Sequence, residues 1–224
     1  MERETMWKHI HAQRAALADA LAGLASEGWE RDTLCPGWTV KDVAAHVISH
    51  PQIRMRHVAV MSLRNFGRGY NTMIFRSVKE WSESRTPADV LAEFDWYAGS
   101  TRRVPVTTTV EPLLDVLVHS QDILRPLGLR HDMPPDAAAV AADRARLHGV
   151  LMGWRSARKL RLVATDIGWV RGKGPTIEGP MQELLMICTG RAPYPSLISG
   201  DGAEPVVTRD RRTSMSPSRP RRPP

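Results

Sequence analysis

Cys35-Pro36-Gly37-Trp38-Thr39-Val40-Lys41-Asp42-Val43-Ala44-Ala45-His46 opens a helix and sets a histidine on it. Pro36-Gly37 is a turn signal, and Thr39 followed three residues later by Asp42 resembles a capping box with Asp in place of Glu, so a helix begins near Val40. Val43, Ala44 and Val47 give it an apolar stripe, with His46 beside that stripe rather than on the solvent face. A second stretch, Asp115-Val116-Leu117-Val118-His119, reads in the same way. Leu113, Leu114, Leu117 and Val118 form its stripe, while Glu111, Asp115 and His119 recur every four residues, one turn or roughly 6 Å apart along the axis. A lone helical histidine is ordinarily a hydrogen-bonded core residue. Two histidines and one carboxylate on two packed helices, however, suffice to hold a catalytic divalent metal with an open position, zinc first.

One turn beyond His46 lies His50, the main rival ligand, but no Glu follows His46 to complete the His-Glu-x-x-His pattern of metalloproteases. Pro51 then ends or kinks the helix. Residues 4–27 read as a first helix, with Trp7, Ile10, Ala15, Leu17, Leu21 and Leu24 on one face and Gly28 as its C-cap. His9 and His11 are two apart, do not share a helix face, and read as surface groups. Trp29 and Trp38 bracket the next loop and read as anchors that pack it down. Residues 64–72 read as a glycine-bearing loop with Arg64 and Arg68, lacking the strand and the Gly-Lys-Ser/Thr ending of a P-loop. Helices follow over 73–84 and, from Thr86-Pro87-Ala88-Asp89, to about Arg103. With 110–127 these make four main helices, a bundle over residues 1–130.

From residue 132 the pattern changes. Met133-Pro134-Pro135-Asp136 opens an alanine-rich helix to about Met152, and Leu160 to Asp166 alternates like a strand. Gly172-Lys173-Gly174-Pro175 is a turn, Thr176-Ile177-Glu178 a short return strand, and a helix over 180–189 stops at Gly190. Residues 131–205 therefore read as a small α+β domain, and the fold class is mainly α with that domain appended to a four-helix bundle.

Residues 206–224 form an Arg/Pro/Ser-rich tail that cannot bury a core and is expected to be disordered. The chain of 224 residues carries a net charge of +7, and six arginines against one aspartate over 209–224 supply +5 of it. With +2 left elsewhere, and no aromatic-basic RNA-binding motif, zinc-finger spacing or leucine zipper, no specific nucleic-acid partner is expected. No apolar run approaches the ~20 residues that span a bilayer, and Met1-Glu2-Arg3-Glu4 lacks the basic-then-apolar order of a signal peptide, so the chain reads as cytoplasmic. Cys35 and Cys188 have neither metal spacing nor a disulfide framework and read as reduced.

The string over residues 34–46 resembles the helix-two signature of the mycothiol-dependent maleylpyruvate isomerase family of actinobacteria. Asp115-Val116-Leu117-Val118-His119-Ser120-Gln121-Asp122 resembles its second metal segment, and 162–166 through 184–191 its C-terminal domain, so the likeness runs in order over about residues 5–202. It implies a DinB-like four-helix bundle binding zinc through His, Glu and His, with a small α/β domain that helps form the cleft. Position by position the ligands become His46, Asp115 and His119, Asp115 being one methylene shorter than the family's Glu. Arg191 matches a catalytic or substrate-binding arginine, its other reading being a cationic helix cap. Arg64 or Arg68 would hold the polar groups of the thiol.

The implied function is a zinc-dependent thiol S-transferase or maleylpyruvate-isomerase-like enzyme with mycothiol as cosubstrate. A thiol on the metal is deprotonated and becomes the nucleophile. In an isomerase it adds to a cis double bond and leaves again; in a transferase it displaces a halide or opens an electrophile and stays. A non-enzymatic metal-binding or regulatory bundle and a metal-dependent hydrolase are the alternatives. The expected assembly is a monomer or a homodimer.

Overall fold

Nine α-helices and a three-stranded sheet make up the described residues, 1–148, 156–204 and Val206, of this computed structural model. The chain divides into two compact units, Met1–Arg144 and Ala145–Pro224. The first contains α1 (Arg3–Ala22), α2 (Ser26–Trp29), α3 (Val40–Ser49), α4 (Met55–Arg64), α5 (Tyr70–Glu83), α6 (Pro87–Trp96) and α7 (Val110–Leu124). A further helix, α8 (Pro135–His148), begins in it.

Two of these starts are set by local chemistry. Thr39 accepts from the Asp42 amide and Asp42 from the Thr39 amide, a complete capping box, and Thr86 with Asp89 repeats it with Pro87 in the first turn. Each reciprocal pair satisfies two amides that a helix start leaves without partners. Ile10, Leu17 and Leu21 of α1, Val43, Val47 and Ile48 of α3, Val90 and Phe94 of α6, and Leu113 and Leu117 of α7 are buried. Their helices close a ring, in which α1 packs on α6 and α7, and α3 packs on the same two. That ring is the four-helix bundle. α5 lies against the outer side of α3, and α4 against α5.

Two expected spans are shorter than the pattern suggested. The first helix ends at Gly23, where the Leu24 amide turns back to Leu21 O, and Gly28 falls inside the separate short α2. α6 ends at Trp96 rather than near Arg103, because Gly99, Ser100, Thr101 and Pro105 sustain helix poorly. The loop expected over 64–72 is confined to the stretch between Arg64, which ends α4, and Tyr70, which begins α5.

In the second unit β1 (Arg161–Ala164) lies between β2 (Val170–Arg171) and β3 (Thr176–Gly179), antiparallel to the first and parallel to the second, and α9 (Met181–Cys188) packs on β1. The return strand is thus β2, and the segment at 176 joins the far edge of β1. Gly172 in the connecting turn has φ +84°, and a Cβ there would meet Leu160 O at 2.2 Å, so only glycine fits. The alanine-rich helix is described to His148, and 149–152 lie outside the described residues. So does the tail over 206–224, apart from Val206. No helix among the described residues is long and apolar enough to cross a membrane.

Candidate metal centre

The residues that open α3 also shape the site. Gly37 holds φ +80°, which lets the chain turn sharply into Trp38, and Phe75 packs against this glycine. Trp38 is buried, with its ring 5.5 Å from that of His46 in edge-on contact and 6.2 Å from that of His119. On α7, Asp115 and His119 stand one turn apart on the side that faces α3.

His46, Asp115 and His119 each bring a ligating atom within 4.8 Å of the other two. His46 Nε2 lies 3.8 Å from Asp115 Oδ2, and the imidazoles of His46 and His119 meet edge to face at 5.1 Å. Their side chains retain 16%, 27% and 12% of their exposure, so the group reaches solvent. Glu111, the third member of the four-residue repeat, stays out of this group. Its carboxylate is taken by the Thr108 amide and hydroxyl, both at 2.6 Å, and by Arg144 Nε at 2.7 Å.

His50 is buried beside the group, its ring 5.7 Å from that of His46. Its Nε2 lies 2.6 Å from Asp115 Oδ2 but off the N–H direction, so neither ring nitrogen makes an aligned hydrogen bond among the described residues. His50 does not join the three-residue group, and its place is against the carboxylate. Arg14 of α1 is buried as well, with no hydrogen-bond partner for its guanidinium. Burial pushes its pKa down to about 10 while the charge of Asp115 opposes the shift, so it stays cationic at neutral pH.

On the other side of His119 stands a second cluster. Asp122 Oδ2 lies 2.9 Å from His119 Nδ1 and accepts from Cys35 Sγ at 3.1 Å, and Cys35 Sγ is 3.7 Å from His119 Nδ1. With Nδ1 engaged there, Nε2 is the nitrogen of His119 left for His46 and Asp115.

Two of the three protonation states suit a cation, and the third does not. Burial, followed by the neighbouring charge on His119, pushes His46 down to about 3 against the pull of Asp115, so it is a neutral imidazole. Burial works against ionised Asp115, but His50, His46 and His119 hold its carboxyl well below the usual range. For His119 burial again opposes the charge. Cys35 and the bond to Asp122 outweigh it and raise the ring to about 10, so a metal must displace one proton there.

The remaining histidines and arginines of interest lie elsewhere. His9 Nε2 is 3.3 Å from Asp136 Oδ2 and His11 Nε2 is 3.1 Å from Ser100 O, so both half-buried rings tie neighbouring elements together. Arg64, exposed at the end of α4, lies 3.7 Å from Glu80, and Arg68 is exposed in the turn that follows. Arg191 belongs to the second unit, where its amide donates to Met186 O and its Nη1 to Thr189 O at the end of α9.

Sequence reading singled out His46, Asp115 and His119, which the structure brings together, but assigned nothing to Asp122, Arg14 or the partnership of Cys35. The signal for Asp122 was present: it follows His119 by three residues, on the same helix face. Nothing local marks Cys35, which is 87 residues away from Asp122 in the chain.

Residues 10–124 match the family model described as the mycothiol maleylpyruvate isomerase N-terminal domain. Two solved structures share the fold, those of the mycothiol-dependent maleylpyruvate isomerase (TM-score 0.58) and of a histidine-to-alanine mutant of it (TM-score 0.59). Each is 14% identical to this chain, and the alignments cover 91% of this chain and 94% of theirs. No curated protein sequence gives a significant match.

Proposed function

Because the chain belongs to the mycothiol maleylpyruvate isomerase family, we propose that it is a zinc-dependent enzyme that uses mycothiol, as an isomerase or an S-transferase, on a small electrophilic substrate. The observation that carries this reading is the convergence of His46, Asp115 and His119 within 4.8 Å on two core helices, with partial exposure on all three. Two imidazoles and one carboxylate are a donor set for zinc that leaves a position open. The fit is supported by the neutral state of His46, the ionised state of Asp115 and the engagement of His119 through Nδ1.

His46, Asp115 and His119 would hold the ion. When bound, it supplies the positive charge that turns a small thiol into its reactive thiolate near neutral pH. The protein needs no cysteine of its own as nucleophile, which agrees with Cys35 being committed to Asp122. Trp38 walls the histidines with an apolar ring and keeps water from one side of them. Arg14 adds a fixed positive charge within the field of Asp115, which favours an anionic ligand. By the family resemblance Arg191 would pair with a substrate carboxylate through its fork of N–H donors. Arg64 and Arg68, both exposed, are the cations offered to the polar groups of mycothiol.

Turnover of the zinc-loaded full chain with mycothiol is the test. Incubation with maleylpyruvate, followed by proton NMR of the alkene, and separately with a haloalkane acceptor, followed by mass spectrometry, should show either cis–trans conversion or a thioether. The product must require both thiol and metal. Neither product, from protein shown to carry one zinc, would overturn the reading.

A further inference from the structure

We propose that Asp122, with Cys35 behind it, is the positioning pair of the metal centre, holding His119 by Nδ1 so that Nε2 is presented to His46 and Asp115. The inference rests on the metal reading above. Asp122 is fully buried in α7, three residues after His119 and therefore on the same face. Its Oδ2 stands 2.9 Å from His119 Nδ1 and takes the Cys35 thiol proton at 3.1 Å. An imidazole free to turn about its bond to Cβ would exchange a nitrogen for a carbon at the position facing His46. A carboxylate fixed on Nδ1 removes that freedom and makes Nε2 the better donor.

The same residue also carries the loop. Asp122 O accepts from the Leu34 amide at 3.0 Å, the Cys35 amide donates to Thr33 Oγ1 at 3.1 Å, and the Trp38 amide donates to Cys35 O at 3.0 Å. That loop delivers Trp38 to the rings of His46 and His119. One buried aspartate thus fixes a candidate ligand on its own helix and the wall that covers the other histidine. Cys35, His119 and Asp122 also fall within 4.8 Å of one another, a set with metal-ligating types. The hydrogen bond from Cys35 Sγ to the carboxylate assigns the thiol to a proton rather than to a second ion.

The test uses cobalt(II) as the probe on the full chain, free of added thiol. Affinity is read by competition with a chelator, and geometry by the visible d–d bands. Asp122→Ala should weaken cobalt binding roughly 10–100-fold and change the bands, the range measured for outer-shell partners of metal sites. Asp122→Asn, whose amide oxygen still accepts from Nδ1–H, should recover most of the affinity and the parental bands. Cys35→Ser keeps a donor to Asp122 and should stay close to the parent. Ile177→Ala, a change at a fully buried position of β3 in the second unit, should lower the melting temperature yet leave both readouts alone. Parental affinity and bands in Asp122→Ala would overturn the proposal. So would two ions per chain, or a sulfur-to-cobalt charge-transfer band that Cys35→Ser abolishes. If Asp122→Ala does not fold, Asp122→Leu, which fills the same space without an acceptor for Nδ1–H, takes its place: the same loss supports the pair, and parental affinity and bands overturn it. Retention of cobalt by His46→Ala would instead overturn the metal reading itself.

Discussion

α3 and α4 are both ten-residue helices with an apolar stripe and a histidine, only five residues apart in the chain, yet they have opposite fates. Eight residues of α3 are buried and none of α4 is. α3 sits in the ring, its small Ala44 and Ala45 letting neighbours approach, and Lys79 of α5 pairs with its capping Asp42 at 2.5 Å. α4 touches mainly α5 and leaves Met55, Val60 and Leu63 exposed. The histidines follow their helices. His46 is walled by Trp38 and faces Asp115, whereas His57 accepts from the Arg54 amide at 3.2 Å and caps its own helix. An amphipathic pattern announces a face, but the neighbours decide whether that face is rigid enough to hold chemistry.

Core truncation should separate the two helices most sharply. Ile48→Ala in α3, at a site with no exposure, should cost about 2–5 kcal/mol in urea unfolding, while Leu63→Ala in α4 should change stability by no more than about 0.5 kcal/mol. Equal losses would mean that α4 is packed as tightly as α3.

Next in size is the pH dependence of metal binding. His119 is raised to about 10 from 6.5, so its proton stabilises the metal-free fold fully below pH 6.5, and that stabilisation is lost as pH rises through 10. Metal must displace this one proton, His46 being neutral already, so affinity should rise about tenfold per pH unit between pH 6.5 and 8.5. A flat profile in chelator competition would show that no proton is displaced. Smallest is the cap of α3: Thr39→Ala should cost about 1 kcal/mol and lower the melting temperature, and no change would remove the capping box from the account.

What could be read in advance was whatever depends on near neighbours. Both capping boxes involve residues three apart, and Asp115 and His119 are one turn apart, so spacing alone placed them. The alternation of a two-residue strand such as β2 is too short to see, and the parallel pairing of β3 with β1 is a choice that no local pattern states. Cys35 meets Asp122 only after α7 folds against the loop before α3, a contact between residues far apart in the chain. The helical spans announced the bundle, whereas the expected role of Arg191 rests on the resemblance alone.

The most direct measurement is metal content by plasma mass spectrometry, under mild conditions without chelator, of the parent beside the His46→Ala, Asp115→Ala and His57→Ala variants. The account predicts about one zinc per chain in the parent and in His57→Ala, and almost none in the other two while they remain folded. Folded His46→Ala or Asp115→Ala protein that keeps its zinc, or a parent that takes up none when zinc is supplied, would contradict it.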